Sequence, residues 1–346
     1  MFSIYKKLGW YFRQEKKRYI AFFLLAVTLS FLETLPPKLL GEALDAIAQG
    51  LMSEAKLFGM VAFMSGLALT LYIGFNIRGR LMFYGSFKLQ YLLRKQLMGY
   101  LAKMDAHYYA DHETGDLMAV ATADINAICM AASRILHQLI ASVFMMGFVL
   151  IQMITTVDLK LTLVTVLPLP IAIVIVFFMS KNVRKLFVEA RNAFGDFNNT
   201  TLESVAGVQV VRAFVQEEND IAKLKNSANI SKAKELKAVK LDAAFGPLFR
   251  SVFSVSMILA ISVGVYMVYN HMISAGELVT FNIYLGMLRM PLWSAGTVLN
   301  ALQRSQAAYD RFEETTCVQL KLEHGNHLQN VEDIQSIEFK DYSFTY

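Results

Sequence analysis

The chain has 346 residues, of which 55% are hydrophobic and 18% are charged, and its mean hydropathy is +0.41. A soluble domain typically carries about 25% charged residues, so the composition excludes an ordinary soluble globular protein. The formal net charge of +5 does not indicate nucleic-acid binding, because basic and aromatic residues do not interleave on a soluble module.

The first 16 residues combine lysines and aromatic side chains in the stretch MFSIYKKLGWYF. This pattern predicts an amphipathic elbow helix over residues 1–16 that lies in the membrane interface, with Trp10 and the lysines contacting lipid. The apolar run over residues 19–32 that follows is also compatible with a secretory signal peptide. Because charged residues and two prolines separate this run from the nearest small-residue cleavage site, we predict an uncleaved first span.

Apolar blocks of about 20 residues recur along the chain and predict membrane-spanning helices. Short and long connections alternate between the blocks, and the leader and the two long connections are rich in Lys and Arg. The positive-inside rule therefore places both termini and both long connections in the cytoplasm. The predicted spans are the six blocks 19–40, 57–77, 135–157, 161–180, 252–269 and 278–302.

The long connections predict helices that extend far beyond the bilayer. Residues 78–104 continue the helical pattern of the second span without proline. A single helix over 57–104 would be about 70 Å long against a bilayer core of about 30 Å, so about 40 Å of packed helix would project into the cytoplasm. Similar charged extensions cover 181–205 and 219–244. The apolar face of the first extension contains Tyr84, Phe87, Tyr91, Met98 and Leu101.

Solvated loops are the alternative interpretation of these connections. Such loops are rich in glycine and proline, whereas the two connections contain no proline before Pro247. All six prolines instead lie in or at the rim of predicted spans. Kinked helices persist in a membrane only where neighbours or water satisfy the freed carbonyls. Such kinks suit a transporter with a central route, and static helix bundles also contain them.

The last residues, SIEFKDYSFTY at 336–346, have a different pattern from the rest of the chain. Apolar and polar residues alternate there, which predicts a half-buried β-strand. No other part of the chain has this period.

Two short cytoplasmic stretches interrupt the long helices: YYADHETGDLMAVATADI at 108–125 and ESVAGVQVVRAFVQEEND at 203–220. With the six spans, the long helices and the terminal strand, they resemble the transmembrane domain of type I (Sav-like) ATP-binding-cassette exporters over essentially the whole chain. The first stretch, with TGDL and Asp124, is similar to the family's first coupling helix. Glu203, Gly207, Ala213 and Phe214 are similar to the second. LVTFNIYLGMLRMPLW and QRSQAAYDRF resemble the sixth span and its cytoplasmic exit.

The resemblance implies an all-α membrane fold with six long transmembrane helices that extend into the cytoplasm. Residues 1–16 would form the elbow helix, 17–320 the transmembrane domain, and 321–346 a linker with the first strand of a nucleotide-binding domain. In this family an aromatic residue after that strand stacks on adenine, and Tyr346 holds a similar position. The chain contains no GxxxxGK[ST] phosphate loop, so this segment is not expected to bind or hydrolyse ATP alone. ATP and Mg are implied as cofactors of the full-length protein.

The resemblance further implies ATP-driven alternating access by two such halves in the cell membrane. It is closest to subunits of bacterial heterodimeric multidrug exporters, so a heterodimer is favoured over a homodimer, with hydrophobic small molecules as substrates. Phe214 would insert into a groove of the motor domain, although an ordinary core aromatic is the alternative. Val120 departs from the family, which often has a basic residue shortly after GDL. The implied coupling residues are Asp111, Thr114, Gly115, Asp116, Leu117, Arg212, Ala213, Phe214 and Glu217.

Polar, aromatic and Met side chains within the spans are candidates for a substrate cavity. Charge inside a membrane is costly and indicates a functional site, and Met and aromatic side chains adapt to varied amphiphiles. Pairing of Glu33 with Arg289, and lipid-facing or helix-packing roles for the others, are the alternatives. The candidates are Glu33, Tyr284, Met287, Arg289, Met290 and Trp293.

Three other functions were weighed against multidrug export. A lipid or peptide exporter of the same fold is the second hypothesis, and it is compatible with the sequence. A secondary transporter or channel without a motor would contain inverted repeats, which the blocks here lack. A membrane-embedded enzyme or metal protein would need clustered ligands, but Cys129 and Cys317 are far apart and His107, His112 and Glu113 lack an HExxH pattern.

Overall fold

A computed structural model describes residues 3–317 together with Ser336, Glu338 and Ser343. Within these residues the chain is helical apart from short connections, and none of them lies in a β-strand. The prediction of an all-helical fold is therefore confirmed for this part of the chain. Apart from those three positions, the predicted strand at 336–346 lies outside the described residues, as does Tyr346.

Most of the chain is divided among sixteen α-helices in the described region. Two π-helical turns, Val120–Asp124 and Ala131–Ile135, separate α7 from α8 and α8 from α9. The helices in chain order are α1 (Ser3–Lys7), α2 (Gly9–Gln14), α3 (Lys16–Leu32), α4 (Leu35–Ala48), α5 (Glu54–Leu101), α6 (Ala106–Asp111), α7 (Thr114–Ala119), α8 (Ile125–Met130), α9 (Leu136–Thr156), α10 (Leu159–Val166), α11 (Pro168–Ala206), α12 (Val208–Ala213), α13 (Glu217–Ala243), α14 (Phe245–Tyr269), α15 (Ala275–Met287) and α16 (Arg289–Thr316).

Four helical stretches in the described part of the chain are long and apolar enough to cross a membrane, and a shorter apolar helix covers Leu159–Ile171. The predicted first, second and fifth spans lie within these four stretches, and the third does so except for its last residue, Val157. The fourth and sixth lie in α10–α11 and α15–α16, so a total of six spans stays a prediction. The four stretches are Lys16–Ala48, Glu54–Leu101, Thr114–Thr156 and Glu217–Tyr269.

The second predicted span is part of one unbroken helix. Helix α5 has 48 residues, which corresponds to about 72 Å at 1.5 Å per residue. It contains no proline, and its apolar first half passes directly into the charged second half. The prediction of a helix that far exceeds the bilayer thickness is confirmed here.

The prolines mark helix starts rather than kinks inside helices. All six lie within the first three residues of α4, α11, α14 or α16. The backbone N–H groups of a first turn have no intrahelical partner, so the missing N–H of proline costs little there. The breaks before these helices therefore follow from the sequence.

The chain divides into two compact units, and the first comprises residues 1–16, 82–136 and 299–346. In its stretch of α5 the buried side chains are Leu89, Leu93 and Leu97, spaced four residues apart. The apolar face predicted for this extension is therefore not the face that is buried within this chain. Four of its five residues are exposed on the opposite surface of the helix. We call this exposed surface the aromatic stripe; it consists of Tyr84, Phe87, Tyr91 and Met98.

The N-terminal segment belongs to the first unit and forms the two short helices α1 and α2. Its apolar face is packed inside the protein, with Ile4, Leu8 and Tyr11 fully buried. Lys7 pairs with two carboxylates of α16 instead of facing lipid: its Nζ lies 2.8 Å from Asp310 Oδ1 and also contacts Glu313. An elbow position in the membrane interface stays a prediction.

The second unit comprises residues 17–81 and 137–298. Its core is formed by apolar side chains of α9, α14 and α15, among them Met153, Phe253 and Phe281. Helices α4 and α15 approach each other through glycines. A Cβ atom on Gly41 would lie 1.9 Å from Thr280 Oγ1, and one on Gly276 would lie 2.1 Å from the Gly41 carbonyl oxygen. Only glycine fits at these two positions.

Candidate functional site

The first predicted coupling segment, whose coupling residues lie between 111 and 117, covers the end of α6 and most of α7. Asp105 begins α6, and its carboxylate accepts a hydrogen bond from the Tyr108 backbone N–H at 2.9 Å, which satisfies one of the free donors of the first turn. The buried side chain of α7 is Leu117, which is 8% exposed. The predicted coupling residues around it are exposed: Asp111, Thr114, Gly115 and Asp116.

Helix α7 begins at the TGDL motif itself. Thr114 and Gly115 are the first two residues of α7 rather than a turn before it, and the N-cap position belongs to Glu113. Asp116 lies inside the first turn, where its charge favours the helix N-terminus without capping it. The segment therefore presents a short helix with one buried anchor and an acidic exposed surface.

A two-pronged ion pair and a hydrogen bond connect the flanks of this segment to α16. On the C-terminal flank, Arg311 Nε donates to Asp124 Oδ2 at 2.9 Å and Nη2 donates to Oδ1 at 2.6 Å. The Asp124 side chain is 9% exposed, and this carboxylate raises the pKa of the Arg311 guanidinium. On the N-terminal flank, the Tyr108 hydroxyl donates to the Thr315 carbonyl oxygen at 3.4 Å.

Asp124 lies in the first π-turn, where the wider helix leaves carbonyl groups open to other donors. The Ala121 carbonyl in this turn accepts a hydrogen bond from Arg94 Nε at 3.2 Å. The Ala131 carbonyl in the second π-turn accepts one from the Tyr5 hydroxyl at 3.3 Å. Side chains from two other helices thus stabilise this irregular backbone.

The second predicted coupling segment lies at the end of an antiparallel pair formed by α11 and α13. Lys223 Nζ lies 2.7 Å from Glu203 Oε2, and Lys234 Nζ lies 3.1 Å from Glu189 Oε2. Each ion pair lowers the pKa of its glutamate, mainly through the hydrogen bond from the lysine. Because the lysine number rises as the glutamate number falls, the two helices run in opposite directions. We call this pair the α11–α13 hairpin.

The tip of the hairpin is α12 with the residues that follow it. No residue of α12 is buried. Phe214 is 73% exposed and Val215 is 78% exposed, and Arg212, Ala213 and Glu217 beside them are exposed as well. The alternative of a core aromatic is wrong for Phe214 in this chain. An exposed apolar tip flanked by charges is suited to insertion into a groove of another domain.

Val215 adopts a left-handed backbone conformation, with φ of +55°. For a β-branched residue this conformation is rare and costs about 1–2 kcal/mol. The backbone reverses here between α12 and α13, and glycine is the usual residue for such a conformation. Strain at an exposed position of this kind is typical of a functional turn. Sequence reasoning did not predict this conformation.

The substrate-cavity candidates are distributed between buried and exposed positions in the second unit. Tyr284 is fully buried, and its hydroxyl donates to the Thr34 carbonyl oxygen at 2.8 Å. Trp293 is half exposed and packs edge-on against Phe249 with ring centroids 5.3 Å apart. Met287 is half-buried beside the core, and Arg289 and Met290 are exposed. Contact of these side chains with a substrate stays a prediction.

Glu33 lies at the break between α3 and α4 and is half-buried. The positive charge that acts on it is that of Arg78 on α5. Sequence reasoning considered Arg289 as its partner and missed Arg78, which lies at the end of the second predicted span. In the described residues, His, Cys, Asp and Glu side chains form no cluster of three or more that could hold a metal ion.

A family model of the ABC transporter transmembrane region matches residues 19–292. The chain belongs to this family. It is therefore a multi-pass membrane protein, and the predicted resemblance to ABC exporters is confirmed at the family level.

The chain is similar along its length to curated ABC transporters of bacteria. It is 32% identical to the probable multidrug resistance ABC transporter ATP-binding/permease protein YheI of Bacillus subtilis, over 100% of this chain and 59% of YheI. It is 32% identical to the multidrug resistance-like ATP-binding protein MdlA of Buchnera aphidicola subsp. Schizaphis graminum, over 93% of this chain and 55% of that protein.

A further relative has a different named substrate. The ATP-dependent lipid A-core flippase of Acinetobacter baylyi is 28% identical over 80% of this chain and 48% of the flippase. The chain thus spans about half to three-fifths of the length of the curated relatives it matches. The activity of a whole ABC transporter is accordingly considered below as a proposal.

Proposed function

We propose that the chain is the transmembrane part of an ATP-driven exporter that moves hydrophobic or amphiphilic compounds out of the cell by alternating access. The observation that carries this proposal is the tip of the α11–α13 hairpin, where Phe214 and Val215 are exposed at the end of two long charged helices. Another domain that binds these apolar side chains would displace the rigid pair of helices when it moves. The names of YheI and MdlA support multidrug compounds as the substrate class.

ATP with Mg would supply the free energy for transport in the full-length protein. The two matched multidrug relatives carry ATP-binding in their names and are longer than the stretch they share with this chain. A nucleotide-binding domain after residue 320 would provide the phosphate loop that this sequence lacks, with Tyr346 against adenine. The exposed residues Asp111, Thr114, Gly115 and Asp116 and the hairpin tip would contact that domain and its counterpart.

A second half-transporter would complete the exporter. The aromatic stripe supports this proposal, because each of its four side chains is more than half exposed in the isolated chain. Exposed apolar patches of this kind mark interaction surfaces. A non-identical half is favoured by the resemblance to heterodimeric exporters. Both termini and the hairpin tip would lie in the cytoplasm of a cell whose plasma membrane holds the exporter.

Transport by the reconstituted full-length protein tests the proposal. ATP added outside inverted vesicles is expected to drive uptake of a fluorescent amphiphilic dye, and the dye is expected to stimulate ATP hydrolysis. A variant in which the lysine of the phosphate loop is replaced by alanine provides the control. Dye movement without ATP, down its own gradient only, would contradict the exporter and favour a transporter without a motor.

Lipid export is the second candidate, and the similarity to the lipid A-core flippase supports it. A fluorescent phospholipid in the same vesicles distinguishes the two substrate classes. ATP-dependent translocation of the lipid, with no transport of soluble dyes, would replace drug efflux by lipid export.

A further inference from the structure

The first coupling segment is held at both flanks by a single turn of α16. Arg311 binds Asp124 after the segment, and the Thr315 carbonyl binds Tyr108 before it. Arg311 and Thr315 are four residues apart, so they lie on the same face of the helix and about 6 Å apart along its axis. The exposed helix α7 lies between the two attachment points.

The Asp124–Arg311 contact restricts rotation more strongly than an ordinary ion pair. Both carboxylate oxygens are used, by two different nitrogens of a planar guanidinium, and such a fork forms in only one relative orientation. Asp124 also lies in a π-turn, where the register of a helix can change by one residue. The fork therefore fixes the register at the point where the helix carrying α7 is least regular.

The Asp124 half of the fork is buried beside apolar side chains, whereas the Arg311 side chain is 55% exposed. Ile125 and Ile128 of α8 are fully buried, and Phe312 beside Arg311 is 2% exposed. Removal of the guanidinium would leave the Asp124 carboxylate, which is 9% exposed, without its cation. An unpaired buried charge is costly, so the contact is expected to persist while the surrounding packing is intact.

We propose that Arg311 is a positioning residue for transport, which holds the first coupling segment and the last turns of α16 together so that they move as one body. This inference rests on the proposed exporter function. Helix α16 is continuous from Arg289 to Thr316. A displacement of α7 by a motor domain would therefore reach α16 through the contact between Asp124 and Arg311. Coupling thus takes a route through side chains in addition to the backbone after α7.

The decisive experiment compares transport and ATP hydrolysis in the full-length protein in vesicles. In Arg311→Ala, dye transport per ATP hydrolysed is expected to fall about tenfold, which is within the usual range of coupling between sites. Basal hydrolysis should remain similar to wild type. The exchange variant Asp124→Arg with Arg311→Asp is expected to recover most of the loss. Arg304→Ala, an exposed arginine two turns earlier on the same helix, is the matched control and should transport normally.

A second measurement does not depend on transport. In thermal unfolding of the nucleotide-free protein, Asp124→Asn and Arg311→Gln are each expected to lower Tm, and the double variant should lower it by little more than either alone. Cysteines at positions 108 and 315 in a cysteine-free background, joined by a short bifunctional reagent, are expected to leave transport intact.

Independent Tm effects of the two substitutions, no recovery by the exchange variant, or loss of transport on cross-linking would overturn the inference. If the wild-type protein transports neither dye nor lipid, the proposed function fails. The Tm comparison then still decides on its own whether the fork forms.

Discussion

The two predicted coupling segments use opposite means to present a surface. The first is held by contacts within its own unit: Leu117 is buried, and Asp124 and Tyr108 bind α16. The second has no buried residue in α12, and the free surface includes Phe214 and the strained Val215. The first therefore depends on the packing of its own unit, whereas the second depends on the stiffness of the hairpin that carries it. Substitution of the buried anchor should therefore affect mainly stability in the first segment, whereas substitution of the exposed tip should affect mainly coupling in the second.

The largest expected effect is on the anchor of the first segment. Leu117→Ala removes a buried side chain and leaves a cavity, which should lower the free energy of unfolding by about 2–3 kcal/mol. Thermal unfolding of the purified protein measures this loss, and hydrogen exchange should rise over residues 106–119. The adjacent Met118 is 54% exposed, so Met118→Ala is the control. Equal effects of both substitutions would show that Leu117 is not an anchor.

At the hairpin tip the expected loss is functional instead. Phe214→Ala deletes a ring that is 73% exposed, so Tm should stay unchanged while ATP-driven dye transport falls about tenfold, equivalent to about 1.4 kcal/mol. Phe194 on α11 is also exposed, and Phe194→Ala should leave transport intact. A fall in Tm for Phe214→Ala would remove the distinction between the two segments.

A smaller effect is expected from the backbone of the tip. Val215→Gly removes the steric cost of the left-handed conformation but adds backbone entropy to the unfolded state, for a net gain of about 0.5–1 kcal/mol. Hydrogen exchange at the start of α13 should slow. Val210 is similarly exposed but helical, so Val210→Gly should have the opposite sign. Faster exchange in Val215→Gly would mean that Val215 is not strained.

Much of this architecture could be predicted from sequence, and the reasons differ by element. The helical period of the apolar residues and the absence of proline were sufficient to predict α5, and the TGDL and VRAF stretches coincide with the short helices α7 and α12. The packing partners were not predictable, because Asp124 and Arg311 are 187 positions apart and a periodic pattern does not identify its partner. For the same reason, the exposed aromatic stripe was taken for a buried face, while Leu89, Leu93 and Leu97 provide the buried one.

The smallest predicted effect is that of the ion pair between Glu203 and Lys223 on the stiffness of the α11–α13 hairpin. Lys223 lowers the pKa of Glu203 below its ordinary value of 4.5, and Glu203 raises that of Lys223 above 10.5. A lowered carboxyl pKa contributes stability above about pH 4.5 that is lost on acidification, and a raised lysine pKa contributes stability that is lost above about pH 10.5. The pair should therefore stabilise the hairpin between these limits, and only slightly, because both side chains are largely exposed and screened by salt.

Distance measurements between spin labels at positions 199 and 226, on opposite helices of the hairpin, detect this contribution. The distance distribution should broaden as the pH falls through the glutamate pKa, and it should broaden similarly in high salt at neutral pH. In the double variant Glu203→Gln with Lys223→Gln, low pH and high salt should each broaden the distance distribution less than in the wild type. A distribution that does not change with pH or salt would mean that packing between α11 and α13 alone holds the hairpin straight. The tip would then still be carried by a stiff pair of helices, but the charges on them would serve solubility rather than alignment.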